Sequence, residues 1–437
     1  MLVSGSKRIQ IIRIIARLNV GGPAKHVVWL TSELQAPEFH TLLVAGTVPE
    51  GEEDMGYFAD ELGVVPLFIP QMSREISPRD AITIWKLFRL FLRKRPHIVH
   101  THTAKAGTVG RIAGFMYRWL TPGTFIGRPR QCLFVHTYHG HIFHSYYGPL
   151  KTRLFITIEK LLTKLVTDRV VVVSEQQRRE ITEEFRIGDA GKFVVVPLGL
   201  DLKVFADWPT RRTVFREELG ISDDSLLIGI VGRLAEIKNH ELFLRAVARF
   251  KELWAKEGES RRVSFVVLGD GILRESLQSM SASLGLKDDV IFAGSRKDPE
   301  NFYPALDVVA LTSRNEGTPL TLIEAMANAR AVIATEVGGV VDLLGDPVQG
   351  GHKYQVRSRG LSVPAGDVEA FAAGLVRLGQ DAELRRDLGE RGRNFVERQY
   401  PKERLFDDIK GLYGELMSLE AHSTGPVVEK RGLQTRV

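Results

Sequence analysis

Two glutamates stand eight positions apart, Glu316 and Glu324, in the run Ser313-Arg314-Asn315-Glu316-Gly317-Thr318-Pro319-Leu320-Thr321-Leu322-Ile323-Glu324. A short β-branched stretch, Val308–Thr312, precedes them and reads as a buried strand. Thr318 reads as a helix N-cap and Pro319 as the first helical residue. The free backbone N–H groups near Leu320 and Thr321 then form a phosphate site at the helix start. Carboxylates repel phosphate, so Glu316 and Glu324 suit sugar hydroxyls, with a ribose as one candidate and a transferred sugar as the other. Taken alone, the segment also fits a core helix carrying two solvated carboxylates.

A second run, Gly229-Ile-Val-Gly232-Arg233-Leu-Ala-Glu-Ile-Lys238-Asn239, closes a strand with glycine and then places two cations on a loop. A phosphoryl leaving group needs fixed positive charge where its own charge develops. Arg233 supplies a planar fork and Lys238 a compact point charge. Surface cations after a strand are the plainer reading.

A third run, Cys132-Leu-Phe-Val-His136-Thr137-Tyr138-His139-Gly140-His141, with His144 beyond, invites a metal. The strand period puts His136 and His139 on opposite faces, a glycine interrupts the geometry, and no carboxylate lies nearby. These features argue against a metal, and His139 is the histidine expected to face a ligand from the strand end. In Leu18-Asn19-Val20-Gly21-Gly22-Pro23-Ala24-Lys25-His26 the paired glycines allow close approach of backbone to ligand, although the spacing is not that of a dinucleotide fingerprint. His102 and Lys105, after the fourth predicted strand, are candidates for the acceptor side or for a polar helix start. No Asp-x-Asp triplet occurs. Arg233 and Lys238 would then replace the divalent ion that such a pair holds, so neither metal nor other cofactor is expected.

Elements that hold such loops recur along the chain. Short apolar runs fall at Ile9–Ala16, Thr41–Ala45, Val64–Ile69, His97–Thr101, Cys132–Thr137, Arg169–Ser174 and Phe193–Pro197. The series restarts at Leu227–Gly232 and continues through Val263–Gly269, Val290–Gly294, Val308–Thr312 and Ala331–Thr335. Strands alternating with amphipathic helices predict two doubly wound α/β domains of the Rossmann kind, facing each other. The expected division is 1–202 and 203–401, with a helix at about 402–420 crossing back to the first domain and a disordered tail at 421–437. The stretch Pro78–Arg95 reads as a core helix ending before Pro96, or as a membrane-surface helix.

The chain has 437 residues, 44% hydrophobic and 26% charged, which suits two globular domains. Its single cysteine excludes a disulfide framework and fits a reducing compartment. Arg13 and Arg17 interrupt the first apolar run, so no secretory signal is read, and a cytoplasmic location is expected. The net charge of +6 is uneven: residues 1–200 hold 26 Lys and Arg against 17 Asp and Glu. That basic half suits an anionic acceptor or peripheral contact with a membrane face, or simply a solvated surface. No basic-aromatic tract points to nucleic acid.

Taken together, these residues resemble the family-4 retaining glycosyltransferases of the GT-B fold. The resemblance spans roughly Ile9 to Tyr413 and rests most on Glu316 and Glu324 in their setting. Gly232 to Asn239, Leu268 to Gly271, Val290 to Gly294, Thr335 to Gly339, Leu198 to Asp201 and Gly360 to Asp367 support it in order. It implies that Arg233 and Lys238 hold a donor diphosphate, with the amides of Leu320 and Thr321 and with Gly22 and Gly232. Glu324 would take the ribose, Glu316 the transferred sugar, and the backbone of Phe292–Arg296 the base, with His139 beside the reacting centre. The acceptor would attack on the face the leaving group departs, with a donor phosphate oxygen as base. The donor is expected to be a UDP-sugar and the acceptor a lipid-linked or cell-surface glycan precursor. A nucleotide-sugar epimerase on the same fold, or a non-enzymatic nucleotide-sugar binder, are the alternatives.

Overall fold

The computed structural model describes residues 8–19, 21–35, 37–49, 54–73, 77–140, 149–351 and 353–423. The first sheet contains β1 (Ile9–Arg17), β2 (Phe39–Gly46), β3 (Leu67–Phe68), β4 (Ile98–His102), β5 (Leu133–Tyr138), β6 (Arg169–Val172) and β7 (Phe193–Val195), in the order β3-β2-β1-β4-β5-β6-β7. All its pairings are parallel. Both faces are therefore covered, which is why the strands read as continuous apolar runs rather than alternating ones. Ile12, Ile14, Val99 and Phe134 pack towards Leu87 and Phe91 of the helix Asp80–Lys94. On that helix Thr83, Leu87, Leu90 and Phe91 are buried, so the core reading of Pro78–Arg95 holds for its inner side. The expected strand Val64–Ile69 shrinks to the two residues of β3, at the sheet edge.

The second sheet contains β8 (Leu226–Val231), β9 (Val263–Leu268), β10 (Val290–Gly294), β11 (Val308–Leu311), β12 (Ala331–Thr335), β13 (Pro347–Gly350), β14 (Gln355–Arg357) and β15 (Gly360–Val363). Its order is β10-β9-β8-β11-β12-β15-β14-β13. The last three strands are missing from the sequence reading. They are three or four residues each, too short to show a period, and β13 and β14 are an antiparallel edge. Strand order reverses between β1 and β4 in one sheet and between β8 and β11 in the other. Ligands bind at such reversals, beyond the carboxyl ends of the strands. The Gly22 loop, His102, the Arg233–Lys238 loop and the Glu316 loop leave these four strands.

The chain passes between the two sheets twice, side by side. Leu200 N–H donates to Tyr400 O at 2.7 Å, and Lys402 N–H donates to Leu200 O at 2.9 Å. Lys402 also pairs with Asp201. The helix Lys402–Ser423 then packs Leu405, Ile409, Tyr413 and Leu416 against Ile11, Val135 and Val171 of the first sheet. It runs three residues past the expected end, so 421–423 belong to it rather than to a tail. The rest of the expected tail, 424–437, lies outside the described residues.

A buried ion pair joins two helices over the first sheet. Arg111 Nη2 donates to both carboxylate oxygens of Glu159, at 2.7 and 2.6 Å, and Tyr138 OH donates to Glu159 Oε2 at 2.6 Å. Arg111→Met leaves Glu159 without its cation in a dry site, and such a break costs about 3–5 kcal/mol. Denaturant unfolding should show a loss of that size, and a loss under about 1 kcal/mol would mean that water reaches Glu159.

Candidate active site

The second-domain side of the cleft is built on three loops. Thr312, just after β11, donates its hydroxyl to Lys238 O and Asn239 O at 3.0 and 2.9 Å, and Arg314 N–H donates to Ile237 O at 2.8 Å. The Arg233–Lys238 and Glu316 loops are thus fastened together. Lys238 Nζ lies 2.5 Å from Glu316 Oε1, and Ser313 Oγ donates to the same oxygen at 2.6 Å. Two groups assigned separately to phosphate and sugar are each other's partners here. Lys238 keeps two further N–H donors and Glu316 its second oxygen. Arg233 is exposed, with no partner among the described residues. Gly269 makes room for this loop: its φ is +137°, and a Cβ there would lie 2.1 Å from Gly232 O.

The helix after Glu316 begins one residue later than expected. Leu320–Ala327 is helical, and Pro319 at φ −73°, ψ 111° occupies the cap position. Pro319 O, rather than a threonine hydroxyl, collects the amides of Leu322 and Ile323. Thr318 therefore does not cap, and its hydroxyl is buried without a partner among the described residues. Among the described residues the amides of Leu320 and Thr321 still lack a backbone acceptor. Glu324, further along the helix, accepts from Tyr303 OH at 2.8 Å, and burial raises its pKa. The Lys25 ammonium, from the first domain, opposes that rise. Lys25 stood in the glycine loop and received no role from the sequence.

Contact between the domains is close at two glycines, Gly22 and Gly317. A Cβ on Gly22 would lie 2.9 Å from Leu320 Cδ1, and one on Gly317 would lie 2.9 Å from His139 O and 2.8 Å from Gly140 Cα. His139 therefore sits across the cleft from the Glu316 loop. Phe292 is half-buried in β10 and packs on the second-domain core. The Arg296 guanidinium is turned away to Asp298 and Glu218 and covers the Phe215 ring at 4.7 Å. Only its backbone is left for a base.

The acceptor-side residues need correction. Lys105 is buried, with its ammonium 2.5 Å from Asp80 Oδ2, so it ties its helix to Asp80–Lys94. His102 is fully buried, and its Nδ1 is 3.0 Å from His139 Nε2. It reaches the cleft only through His139. Between them Thr103 has φ +68°, ψ 157°, a conformation costly for a β-branched residue and of a kind that collects at functional sites. His26, His102 and His139 bring ring nitrogens within 4.8 Å of one another. The sequence argument against a metal weighed one segment, whereas this cluster joins three elements. His141 and His144 lie outside the described residues.

Burial, and then the Arg13 charge, lowers the His139 pKa to about 3. Burial, and then Lys238, lowers that of His240 to about 4. Both start from an ordinary value of 6.5, so between these limits the unfolded chain binds more protons than the folded one. Their contribution to stability is complete above about pH 6.5 and is lost as pH falls towards 4 and then 3. Each should contribute a slope of about 1.4 kcal/mol per pH unit within its window. Denaturant midpoints at pH 7, 6 and 5 measure it, and a flat profile would show that these rings reach water in the folded state.

The family described as "Glycosyl transferase 4-like domain" matches residues 21–199, and "Glycosyl transferases group 1" matches residues 211–395. The chain is 28% identical over 352 residues to the Escherichia coli UDP-Gal:alpha-D-GlcNAc-diphosphoundecaprenol alpha-1,3-galactosyltransferase, covering 80% of this chain and 84% of that one. It is 26% identical to the capsular polysaccharide biosynthesis glycosyltransferase CapM of Staphylococcus aureus, covering 84% and 88%. Among solved structures, Anabaena HepE in complex with UDP and glucose superposes with a TM-score of 0.72 at 17% identity, covering 93% of this chain and 100% of that one. WaaG, a glycosyltransferase involved in lipopolysaccharide biosynthesis, superposes at 0.64 and 16% identity, covering 89% and 95%. With two facing α/β sheets of this topology, the chain belongs to the family-4 glycosyltransferases of the GT-B fold.

Proposed function

We propose that the protein transfers a sugar, with retention of configuration and without a metal, from a UDP-sugar to a lipid-linked or cell-surface glycan precursor. The observation that carries this reading is the pole of positive charge and free N–H groups in the second domain. Among the described residues Arg233 is exposed without a partner, Lys238 has donors to spare, and the amides of Leu320 and Thr321 have no backbone acceptor. A diphosphate leaving group takes those donors as its charge grows. Glu316 and Glu324 flank the pole and accept sugar and ribose hydroxyls. The E. coli relative's name includes a UDP-Gal donor and an undecaprenol-linked acceptor, and HepE was solved with UDP and glucose; both support this choice of donor and acceptor class.

Lys238→Ala should weaken UDP binding by about 1.5–3 kcal/mol, the size of a charge-assisted contact, and an unchanged calorimetric dissociation constant would remove Lys238 from the donor site. Glu316→Gln should lower turnover while UDP affinity holds, because the substitution also frees Lys238 from its partner. Full turnover in Glu316→Gln would take Glu316 out of the sugar site. Chelation with EDTA should leave activity intact. The test of the whole reading is a thermal-shift panel of UDP, GDP, ADP, TDP and CDP, followed by turnover of the matching nucleotide sugar with lipid extract and NMR of the product anomer. A ligand that binds only the folded state raises its melting temperature. Conversion of the nucleotide sugar alone would instead mark an epimerase, and binding with no reaction a binder.

Peripheral membrane contact belongs to the same reading. Among the described residues no helix is long and apolar enough to cross a membrane. On the first domain, Phe125 and Ile126 are 92% and 73% exposed, at the end of the short helix Pro122–Phe125 that follows the helix Ala104–Trp119. The neighbouring helix Pro149–Leu165 exposes Leu154 and Leu161 along with Arg153, Lys160 and Lys164. Apolar side chains among cations suit an anionic lipid surface. The protein should sediment with phosphatidylglycerol vesicles and not with phosphatidylcholine vesicles, and Phe125→Ser with Ile126→Ser should abolish that. Equal sedimentation of the double variant would rule this surface out.

A further inference from the structure

Arg13 lies in the middle of β1, fully buried, and no carboxylate pairs with it among the described residues. Its Nη1 is 3.3 Å from His100 Nδ1 and 3.2 Å from His102 Nε2, and its Nη2 donates to Tyr413 OH at 3.2 Å. A guanidinium has donors only. Both imidazole nitrogens that face it therefore present lone pairs, which fixes where the other protons sit. His100 carries its proton on Nε2 and donates to Thr137 Oγ1 at 2.7 Å, while Tyr413 OH donates to His100 Nδ1 at 2.6 Å. His102 carries its proton on Nδ1 and donates to His139 Nε2 at 3.0 Å. His139 must then be protonated on Nδ1, which is buried and has no partner among the described residues.

We infer that Arg13 is a positioning residue of the transfer reaction: through His102 it locks His139, at the strand end beside the Glu316 loop, as a neutral ring whose unpartnered Nδ1–H is kept for an oxygen of the bound donor sugar or its phosphate. This rests on the reading of the site as a sugar-nucleotide site. His139 is thus a donor and not a general base. The groups packed around it agree: Arg13 from β1, His100 and His102 from β4, and His26 from the helix Gly22–Glu33, at a ring distance of 4.8 Å. None is an anion that would favour an imidazolium, and burial with the Arg13 charge holds the ring neutral.

The same direction of donation decides against a metal in the three-histidine cluster. A metal needs the lone pair of His102 Nδ1 or Nε2. Nε2 already accepts from Arg13, and Nδ1 holds the proton. Binding an ion through Nδ1 would move that proton to Nε2, against a guanidinium N–H at 3.2 Å.

The test is a long-range proton–nitrogen NMR spectrum of the full chain labelled with 15N at histidine, with His139 assigned by its disappearance in His139→Gln. His139 should show a protonated Nδ1 and a lone-pair Nε2 at pH 7, and the opposite pattern, or rapid exchange of the two, overturns the inference. Added zinc should leave the His26, His102 and His139 signals in place, and a shift of all three would replace the relay with a metal site. Arg13→Met should mix the His139 tautomers and lower kcat roughly tenfold to a hundredfold, the scale of lost outer-shell orientation, with the KM for the nucleotide sugar little changed. Arg13→Lys, which keeps a donor, should recover part of kcat. Unchanged kcat in Arg13→Met overturns the role. Should Arg13→Met fail to fold, the wild-type tautomer decides alone. Because the NMR readout needs no substrate, a protein with the expected tautomer and no sugar transfer would sink the proposed function and not the relay.

Discussion

The backbone pairing of Leu200 with Tyr400 and Lys402 fixes how the two sheets meet. The chain leaves the first domain and returns to it at one place, with the two crossings hydrogen-bonded to each other. The contacts across the cleft depend on that. Gly22 meets Leu320, Gly140 meets Gly317, and the Lys25 charge reaches Glu324 only because the crossings bring the strand ends of both sheets face to face. A pair of adjacent crossings also concentrates any bending in few residues, while Arg404 donates to Pro197 O and Leu198 O and limits it.

Across this cleft the two sides have opposite electrostatic characters. The second domain offers side-chain charge: exposed Arg233, and Lys238 paired with Glu316. The first domain offers neutral imidazoles whose ionisation burial suppresses. In the proposed reaction an anionic leaving group would be drawn to the second domain, while the His139 side would contribute directional hydrogen bonds. Placing a second cation on the His139 side would hold the sugar and the departing phosphate with similar strength, and transition-state binding gains only from what strengthens as the bond breaks.

Much of this was legible in the sequence, and the failures have physical causes. Twelve runs marked strands because parallel strands covered on both faces are apolar throughout. The Glu316–Glu324 and Gly232–Asn239 segments were visible because glycine, proline and charge at a strand end leave few alternatives. β13 to β15 were too short to show a period. Thr318 looked like a cap because the hydroxyl rule is statistical, and here the helix starts one residue later, with Pro319 at the cap position. Lys105 looked available because a cation after a strand gives no hint that Asp80, 25 residues earlier, will lie beside it. The histidine cluster was judged within one segment, yet its members come from a helix, a strand and the loop after a second strand. Arg13 entered only as an interruption of an apolar run. That interruption was the signal: a charge inside a strand covered on both faces must be answered by something distant in sequence.

What answers it is unusual, because desolvating a guanidinium costs several kcal/mol and no carboxylate offsets it among the described residues. Two imidazole lone pairs and a phenol oxygen supply charge-assisted hydrogen bonds, stronger than neutral ones. A methionine of similar length would avoid the desolvation but could not impose a direction of donation on His100 and His102. A carboxylate in its place would reverse that direction, turning both histidines into donors towards β1 and leaving His139 without its orienting N–H. The phenol comes from Tyr413, on the helix that crosses back after the second domain is complete. Arg13 therefore gains its phenol partner only when the last helix has docked, which links assembly of the whole chain to the protonation pattern of His100, His102 and His139.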